Sequence, residues 1–446
     1  MKKVLIANRG EIASRIIETC KRMKIETIAI FSDADQDLPY VKEADYSFRI
    51  GEPPVGKSYL LADSILELAV REGADAIHPG YGFLSENSDF VRKTEEHGLL
   101  FIGPSSAVIE KMGDKVLARK TMMEAGIPVV PGSELGLETL GQAAEKAEQI
   151  GFPVMLKASG GGGGIGMHLC HDKAELEKVY ASAKNRAKAY FGNDEVFIEK
   201  YIAESRHIEV QIFGDEHGNI VHLFERECSV QRRNQKVIEE APSPSISEET
   251  RQKICKAAVQ AALHVGYRNA GTVEFIMDEK EQFYFLEMNT RLQVEHRVTE
   301  MITGLDLVKW QILAARGEAL PLNQGEIRKI GHAFEFRLYA EDPEKFIPSP
   351  GKLNVFTYPE PSGFVIDRTY IEGNQITPFY DPLIAKAVVY GENREAAMLK
   401  AAEVFRGMQI EGVKSNLPLF VKVLKDEEFK SGQYTTSLLK KSKIVG

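Results

Sequence analysis

With 446 residues, 43% of them hydrophobic and 27% charged, the chain is long enough for several cores and too apolar for a disordered tail protein. A formal net charge of −9 excludes the broad basic footprint of a nucleic-acid binder, so anionic ligands have to be met by local clusters of cations. Cys20, Cys170, Cys228 and Cys255 show no CxxC or metal-type spacing and read as reduced, buried thiols of a cytoplasmic protein.

Residues 4–7 predict a short buried strand after Lys2 and Lys3, an apolar run too brief for a signal peptide. No later run reaches bilayer length, so neither a membrane nor a nucleic acid is expected as a partner. Asn8-Arg9-Gly10 is a turn, and Ile12, Ile16 and Ile17 recur at helical spacing. A strand at 27–31, a helix at 59–72, a strand end running into His78-Pro79-Gly80-Tyr81-Gly82, and a strand at 99–102 follow. Strands alternating with helices over residues 1–113 imply a doubly wound, Rossmann-like parallel sheet.

The pattern changes after Gly113. Helices at 115–125, 138–150 and 173–190 and strands at 154–157, 167–170 and 196–199 suggest a small α+β lobe, about 131–203. Longer alternating strands then run over 207–213, 220–227, 271–277 and 282–288, with a helix at 248–265. Residues 278–281 look like the loop of a hairpin, which makes this sheet antiparallel. A further mixed segment begins with a strand at 332–338. The expected division is 1–113, 114–330 and 331–446, of mixed α/β and α+β class.

Six glycines lie among residues 159–166, between a strand ending at Lys157 and a return strand. Backbone N–H groups without side chains approach phosphate oxygens closely, and Lys157 adds a cation. A linker is rarely flanked by apolar strands on both sides. The run is neither a Walker loop, since no GxxxxGK[ST] is present, nor a Rossmann fingerprint, since a strand follows it.

The hairpin strands carry Glu274 and Glu287, with Asn289 two residues on and therefore on the face of Glu287. Two carboxylates and an amide oxygen are hard ligands suited to Mg²⁺ on ATP phosphates, and crowded carboxylates need a compensating cation. Arg291 and Glu295 follow directly. At four-residue spacing on a helix they would be an ordinary surface ion pair, but beside a metal strand they suggest an anion holder and a base. The cation-dense stretch 225–236 reads either as a solvated strand pair or as a second anion contact, with Lys236 the best candidate.

These motifs together resemble the biotin carboxylases. The resemblance rests on Glu287-Met288-Asn289-Thr290-Arg291-Leu292-Gln293-Val294-Glu295-His296, the glycine loop after residues 154–158, and Ala7-Asn8-Arg9-Gly10-Glu11-Ile12-Ala13. His78 to Asn87, Met112-Gly113-Asp114-Lys115 and Ala340-Glu341-Asp342-Pro343 extend it over the full length in order. It implies an ATP-grasp fold with a mobile glycine-loop lid, between an N-terminal and a C-terminal domain. It implies ATP contacts from Lys115, Lys157, Gly163, Gly164, His207 and Gln231, and a hinge along the adenine from Glu199, Lys200 and Ile202. Glu274, Glu287 and Asn289 match the Mg²⁺ or Mn²⁺ ligands. Lys236, Arg291, Gln293, Val294 and Glu295 match the bicarbonate pocket, and Arg337 matches the arginine that meets biotin.

The implied reaction is ATP-dependent carboxylation of biotin through carboxyphosphate, the first half-reaction of an acyl-CoA carboxylase. No Met-Lys-Met occurs, so a separate biotin carboxyl carrier protein and carboxyltransferase subunits are implied, and relatives of this kind often form homodimers. Ile165, Asn234 and Arg297 depart from the family pattern near the nucleotide, where arginine, histidine and proline are expected. The stretches 336–339 and 380–386 look closer to catabolic acyl-CoA carboxylases than to acetyl-CoA carboxylase. Two alternatives are an ATP-grasp ligase acting on another carboxylate and a nucleotide-binding regulatory subunit without turnover.

Overall fold

A computed structural model describes residues 1–133, 136–159 and 167–441. The N-terminal segment forms a parallel sheet of β1 (Lys3–Ile6), β2 (Glu26–Ser32), β3 (Tyr46–Gly51), β4 (Ala76–His78) and β5 (Leu100–Phe101), in the order β3-β2-β1-β4-β5. The order reverses at β1, as a doubly wound sheet requires, and the loops beyond the strand ends flank the crevice where such folds bind ligands. Val4, Leu5, Ile6, Ile28, Ala29 and Ile30 have no exposed surface, the continuous apolar run expected of strands covered on both faces.

The loop after β4 is fixed by local chemistry. Asn8 Nδ2 donates to the carbonyls of Pro79 (2.7 Å) and Tyr81 (2.8 Å). Gly80 sits at φ +62°, and a Cβ there would meet Asn8 Nδ2 at 2.9 Å, so the turn requires glycine. The side chain of Asn87 then caps the helix Ser88–Glu96 by accepting from the Phe90 N–H at 2.8 Å.

The lobe holds β6 (Val154–Ala158), β7 (Met167–Cys170) and β8 (Val196–Lys200) as an antiparallel sheet in the order β7-β6-β8. The helices Leu140–Ile150 and Lys173–Phe191 pack on it around Leu156, Leu176 and Ile198. Thr139 and Gln142 form a capping box at the first of these helices. Gly163, Gly164 and Ile165 lie outside the described residues.

The largest sheet runs in the order β13-β12-β9-β10-β11-β14-β19-β17. It is assembled from β9 (Arg206–Gly214), β10 (Ile220–Arg232), β11 (Gln235–Ala241), β12 (Asn269–Met277), β13 (Phe283–Asn289) and β14 (His332–Tyr339). After the short β15 (Gly351–Lys352) and β16 (Val355–Thr357), β17 (Phe364–Arg368) joins the large sheet. The short β18 (Gln375–Ile376) pairs with β15, β19 (Leu383–Gly391) joins the large sheet, and β20 (Gln409–Glu411) pairs with β16. One sheet therefore continues across residues 330 and 331, because β11 pairs with β14. The helix Glu248–Val265 packs on β9 and β10 through Ile254, Ala258, Ala261 and Ala262. Among the described residues no helix is long and apolar enough to cross a membrane, and all four cysteines are buried and free.

Candidate active site

The large sheet has one apolar and one polar face along its central strands. On β9, Ile208, Val210 and Ile212 alternate with His207, Glu209 and Gln211, and period-two geometry turns the second set toward the cleft side. Glu274 on β12 stands in register with Glu209 on one side and Glu287 on the other. The hairpin expectation therefore holds: Asn289 Nδ2 donates to Glu274 Oε1 at 2.8 Å, which places the three oxygen donors on one face.

A cleft of about 1180 Å³ opens over this face. It is lined by Lys115, Lys157, Glu199, Lys200, Ile202, His207, Gln231, Lys236, Glu274, Glu287, Asn289, Arg291, Gln293, Val294 and Arg337. Among the described candidate residues Glu295 alone is missing from the lining; it lies beneath the floor at 0% exposure.

At one end stand the lysines. Asp114 caps the helix Lys115–Glu124 by accepting from the N–H groups of Val116 and Leu117, both at 2.9 Å, and also receives the Ser159 hydroxyl at 3.2 Å. Lys115 is thereby fixed beside the strand that carries Lys157, and its ammonium donates to Glu287 Oε2 at 2.5 Å. Burial opposes the charge of Lys115, yet Glu287, Glu199 and Glu274 outweigh it and raise its pKa. Lys157 pairs with Glu199, which also receives Arg119 at 2.8 Å. Burial tends to raise the Glu199 carboxyl, but Lys157 and Arg119 hold it below its ordinary value. Lys200 turns its ammonium to the carbonyls of Gly151 (2.7 Å) and Phe152 (3.2 Å).

In the centre, Lys236 donates to Glu209 (2.5 Å), Glu274 (2.8 Å) and Glu295 (2.8 Å). Burial works against this ammonium, and the carboxylates overcome it and push its pKa well up. Burial likewise disfavours ionised Glu274, but Lys236 and His207 hold it well below the carboxylate range. His207 Nε2 contacts Glu274 at 2.7 Å, and Gln231 Nε2 meets His207 Nδ1 at 2.8 Å. The stretch 225–236 is split: Glu225, Arg226 and Glu227 have 0% exposure, whereas Arg233, Asn234 and Gln235 at the turn are exposed and Arg232 is half-buried, so the solvated reading holds only at the turn. Arg226 donates to Glu209 (2.5 Å), Gln211 (2.8 Å), Thr299 (2.9 Å) and Thr272 (3.1 Å).

At the other end, Arg291 and Glu295 sit in the connection after β13, and they do not pair with each other. Arg291 donates from Nε to Glu86 (2.8 Å) and from its terminal nitrogens to Asn289 Oδ1 (3.0 Å), Gln293 Oε1 (2.9 Å) and the Leu292 carbonyl (3.3 Å). Gln293 Nε2 reaches Glu274 Oε1 at 3.1 Å. Glu295 heads the helix His296–Thr303 and receives Lys236 on one oxygen and Arg337 (2.9 Å) on the other. Burial would raise its carboxyl; Lys236, Arg337 and Arg226 hold it far below the ordinary range, so it is ionised at any physiological pH. Arg337 also meets Glu239 at 2.6 Å, and burial lifts the Glu239 carboxyl to about 7 against the pull of Arg337.

Two departures from the family pattern have local causes. Arg233 (φ 49°) and Asn234 (φ 65°) are the two-residue turn between β10 and β11, a left-handed position that asparagine tolerates well. Arg297 turns away from the cleft to Asp367 (2.7 Å) and Glu300 (3.1 Å). Sequence reasoning passed over Glu86, Glu209, Arg226 and Glu239. The period-two pattern His207, Glu209, Gln211 was a usable signal for Glu209; Glu86 sits on a loop and carries none.

Comparison with known proteins matches three successive stretches of the chain. Residues 1–109 match the family model for the biotin carboxylase N-terminal domain, 114–323 the carbamoyl-phosphate synthase L chain ATP-binding domain, and 335–441 the biotin carboxylase C-terminal domain. The biotin carboxylase of Halalkalibacterium halodurans is 53% identical over 98% of this chain and 97% of its own length. The mitochondrial methylcrotonoyl-CoA carboxylase subunit alpha of Glycine max is 49% identical over 98% of this chain and 60% of its own. A biotin carboxylase domain dimer from the 2-oxoglutarate carboxylase of Hydrogenobacter thermophilus, solved with MgADP, ADP and bicarbonate, superposes with a TM-score of 0.96 at 48% identity, covering 98% of this chain and 97% of that one.

Proposed function

The chain belongs to the biotin carboxylase family, and from that membership we propose that its cleft carries out the ATP-dependent carboxylation of biotin with bicarbonate. The observation that carries the reading is a convergence. The oxygen donors Glu274, Glu287 and Asn289 and the small-anion groups Lys236, Arg291, Gln293 and Glu295 meet around one carboxylate, Glu274.

Glu274, Glu287 and Asn289 would hold a divalent cation. The set is all oxygen and lies on one hairpin face, and Lys236 and His207 hold Glu274 ionised, which fits Mg²⁺ or Mn²⁺. When bound, that ion neutralises charge on the ATP phosphates. Lys115 and Lys157 contact the phosphates, His207 and Gln231 the adjoining part of the nucleotide, and Glu199, Lys200 and Ile202 edge the base. Gly163 and Gly164, outside the described residues, belong to the same reading through the family motif.

Arg291, Lys236, Gln293 and the Val294 backbone hold bicarbonate, and Glu295 accepts its proton. Glu295 is a weak base beside two cations; an anion seated on Arg291 and Lys236 offsets part of their charge and raises its basicity. A bicarbonate oxygen then attacks the γ-phosphorus in line, and ADP leaves. Carboxyphosphate breaks down to CO₂ and phosphate, and the phosphate takes the N1′ proton of biotin. Arg337 stabilises the resulting ureido oxyanion, and N1′ captures CO₂. Biotin arrives on a separate carrier protein, a carboxyltransferase consumes the product, and the enzyme acts as a cytoplasmic homodimer like the H. thermophilus domain in its assembly.

The test is ATP cleavage with purified protein. Cleavage requires bicarbonate and rises on adding free biotin; turnover indifferent to both would overturn the assignment in favour of a ligase for another carboxylate.

A further inference from the structure

The bicarbonate-facing arginine is held from a distant part of the chain. Glu86 belongs to the loop that follows β4, and its carboxylate receives three donors from the segment after β13. Oε1 accepts from the Thr290 N–H (3.0 Å) and the Thr290 hydroxyl (3.3 Å), and Oε2 accepts from Arg291 Nε (2.8 Å). The loop is anchored on both sides of Glu86: Asn8 bonds the carbonyls at its start around Gly80, and Asn87 is the N-cap of the next helix.

The division of donors on Arg291 matters. A guanidinium offers five N–H groups in a plane, and a carboxylate usually takes two of them side by side. Among the described contacts, Glu86 takes Nε alone, while the two terminal nitrogens face neutral acceptors, the amide oxygens of Asn289 and Gln293 and the Leu292 carbonyl. Glu274 and Glu295 lie nearby but bond to Lys236 instead. The edge of Arg291 toward the metal-ligand face is therefore charged and bonded only to neutral groups, which a planar anion outcompetes for charge-assisted hydrogen bonds.

We propose that Glu86 is a positioning residue for bicarbonate: by taking Nε and the Thr290 amide it fixes the plane of Arg291 so that its terminal N–H edge is presented to the anion. The proposal deepens the bicarbonate reading and rests on it. It assigns the N-terminal domain a part in substrate selection, through a contact between residues 205 positions apart.

The experiment is steady-state ATP cleavage by the full-length protein, titrating bicarbonate and ATP separately, for wild type, Glu86→Gln and Glu86→Ala, with thermal melts alongside. Glutamine keeps one carbonyl oxygen and cannot serve both Thr290 and Nε. Both variants should raise the KM for bicarbonate by about tenfold, the worth of one charge-assisted hydrogen bond, with the KM for ATP changed by less than about twofold. Unchanged bicarbonate KM in both variants would overturn the proposal. So would a parallel rise in both KM values with a falling melting temperature, which is the signature of a merely structural domain contact. A wild-type enzyme indifferent to bicarbonate would instead remove the functional reading on which the proposal rests.

Discussion

Replacing Glu295 by glutamine separates chemistry from architecture. The carboxylate accepts from Lys236 at 2.8 Å and from Arg337 at 2.9 Å, at 0% exposure. Removing a buried charge usually strands its partners at a cost of several kcal/mol. Here it does not, since Lys236 keeps Glu209 (2.5 Å) and Glu274 (2.8 Å), and Arg337 keeps Glu239 (2.6 Å). The glutamine amide, however, keeps one acceptor oxygen and turns its NH2 toward either Lys236 or Arg337, so stability should fall by about 1 to 3 kcal/mol and the melting temperature by a few degrees. Turnover should fall by about 10² to 10⁴, the range for loss of a positioned general base, or roughly 3 to 5 kcal/mol of barrier. Nucleotide affinity should hold, because Glu295 bonds Lys236 and Arg337 and touches neither Lys115 nor Lys157, the lysines assigned to the phosphates. Calorimetric titration of nucleotide, thermal melts and bicarbonate-dependent ADP release together decide the matter. Turnover within tenfold of wild type would refute the base assignment, and a loss accompanied by an equal loss of nucleotide binding would refute the argument that Glu295 acts on chemistry alone.

Arg337→Ala should abolish biotin-stimulated turnover and reduce biotin-independent ATP cleavage much less; equal losses in both assays would count against its contact with biotin. Arg226→Ala should destabilise the protein by about 3 to 5 kcal/mol in urea unfolding, because it strips Glu209 of a fully buried partner and leaves Gln211, Thr272 and Thr299 without their donor. Burial lifts the Glu227 carboxyl to about 6 despite hydroxyl donors from Ser229, Ser243 and Ser245. A carboxyl raised in the folded state binds more protons there than when unfolded, so stability rises as pH falls from above 6 toward 4.5, by about 1 kcal/mol between pH 8 and pH 5. Glu227→Gln should lose that increment, and identical pH slopes for the two proteins in urea melts would sink the assignment.

The carboxylate face of the hairpin was legible because its pattern is local. Glu274 and Glu287 stand on two strands of one hairpin, Asn289 is two residues further, and an apolar surround makes unpaired carboxylates untenable there. Lys115 and Lys157 were reachable through their motifs, one at a capped helix start and the other at the strand before the glycines. What escaped was either long-range or dispersed. Nothing near Glu86 announces a partner 205 residues away, since an exposed loop glutamate has an ordinary solvated explanation. The charged start of the stretch 225–236 looked solvated in one dimension, and only the pairing of β10 with β9, the reach of Arg226 to Thr272 on β12 and the helix His296–Thr303 show why Arg226 is dry. β3 was missed because it is an edge strand of half-exposed residues with no clean alternation. The C-terminal strands were not resolved one by one because β17 and β19 complete a sheet begun more than a hundred residues earlier.

The cleft's ion pairs also explain why nucleotide and divalent cation should bind as a unit. Lys115 is paired with Glu287, and Lys236 and His207 are paired with Glu274. On the proposed reading, ATP phosphates would compete for the Lys115 ammonium, and an anion near Lys236 would compete with Glu274. Each such exchange would leave a half-buried or buried carboxylate short of positive charge, which is unfavourable in a site of low polarity. Glu274 and Glu287, as the residues that would hold a divalent cation, would regain that balance on the same hairpin face where the lysines release it. Binding of either ligand alone carries an electrostatic cost that the other removes, so their affinities must be coupled through these named pairs. On that reading a cation on Glu274 would relieve Lys236 of one of its three carboxylate contacts, leaving it on Glu209 and Glu295 with an N–H to offer a bound anion.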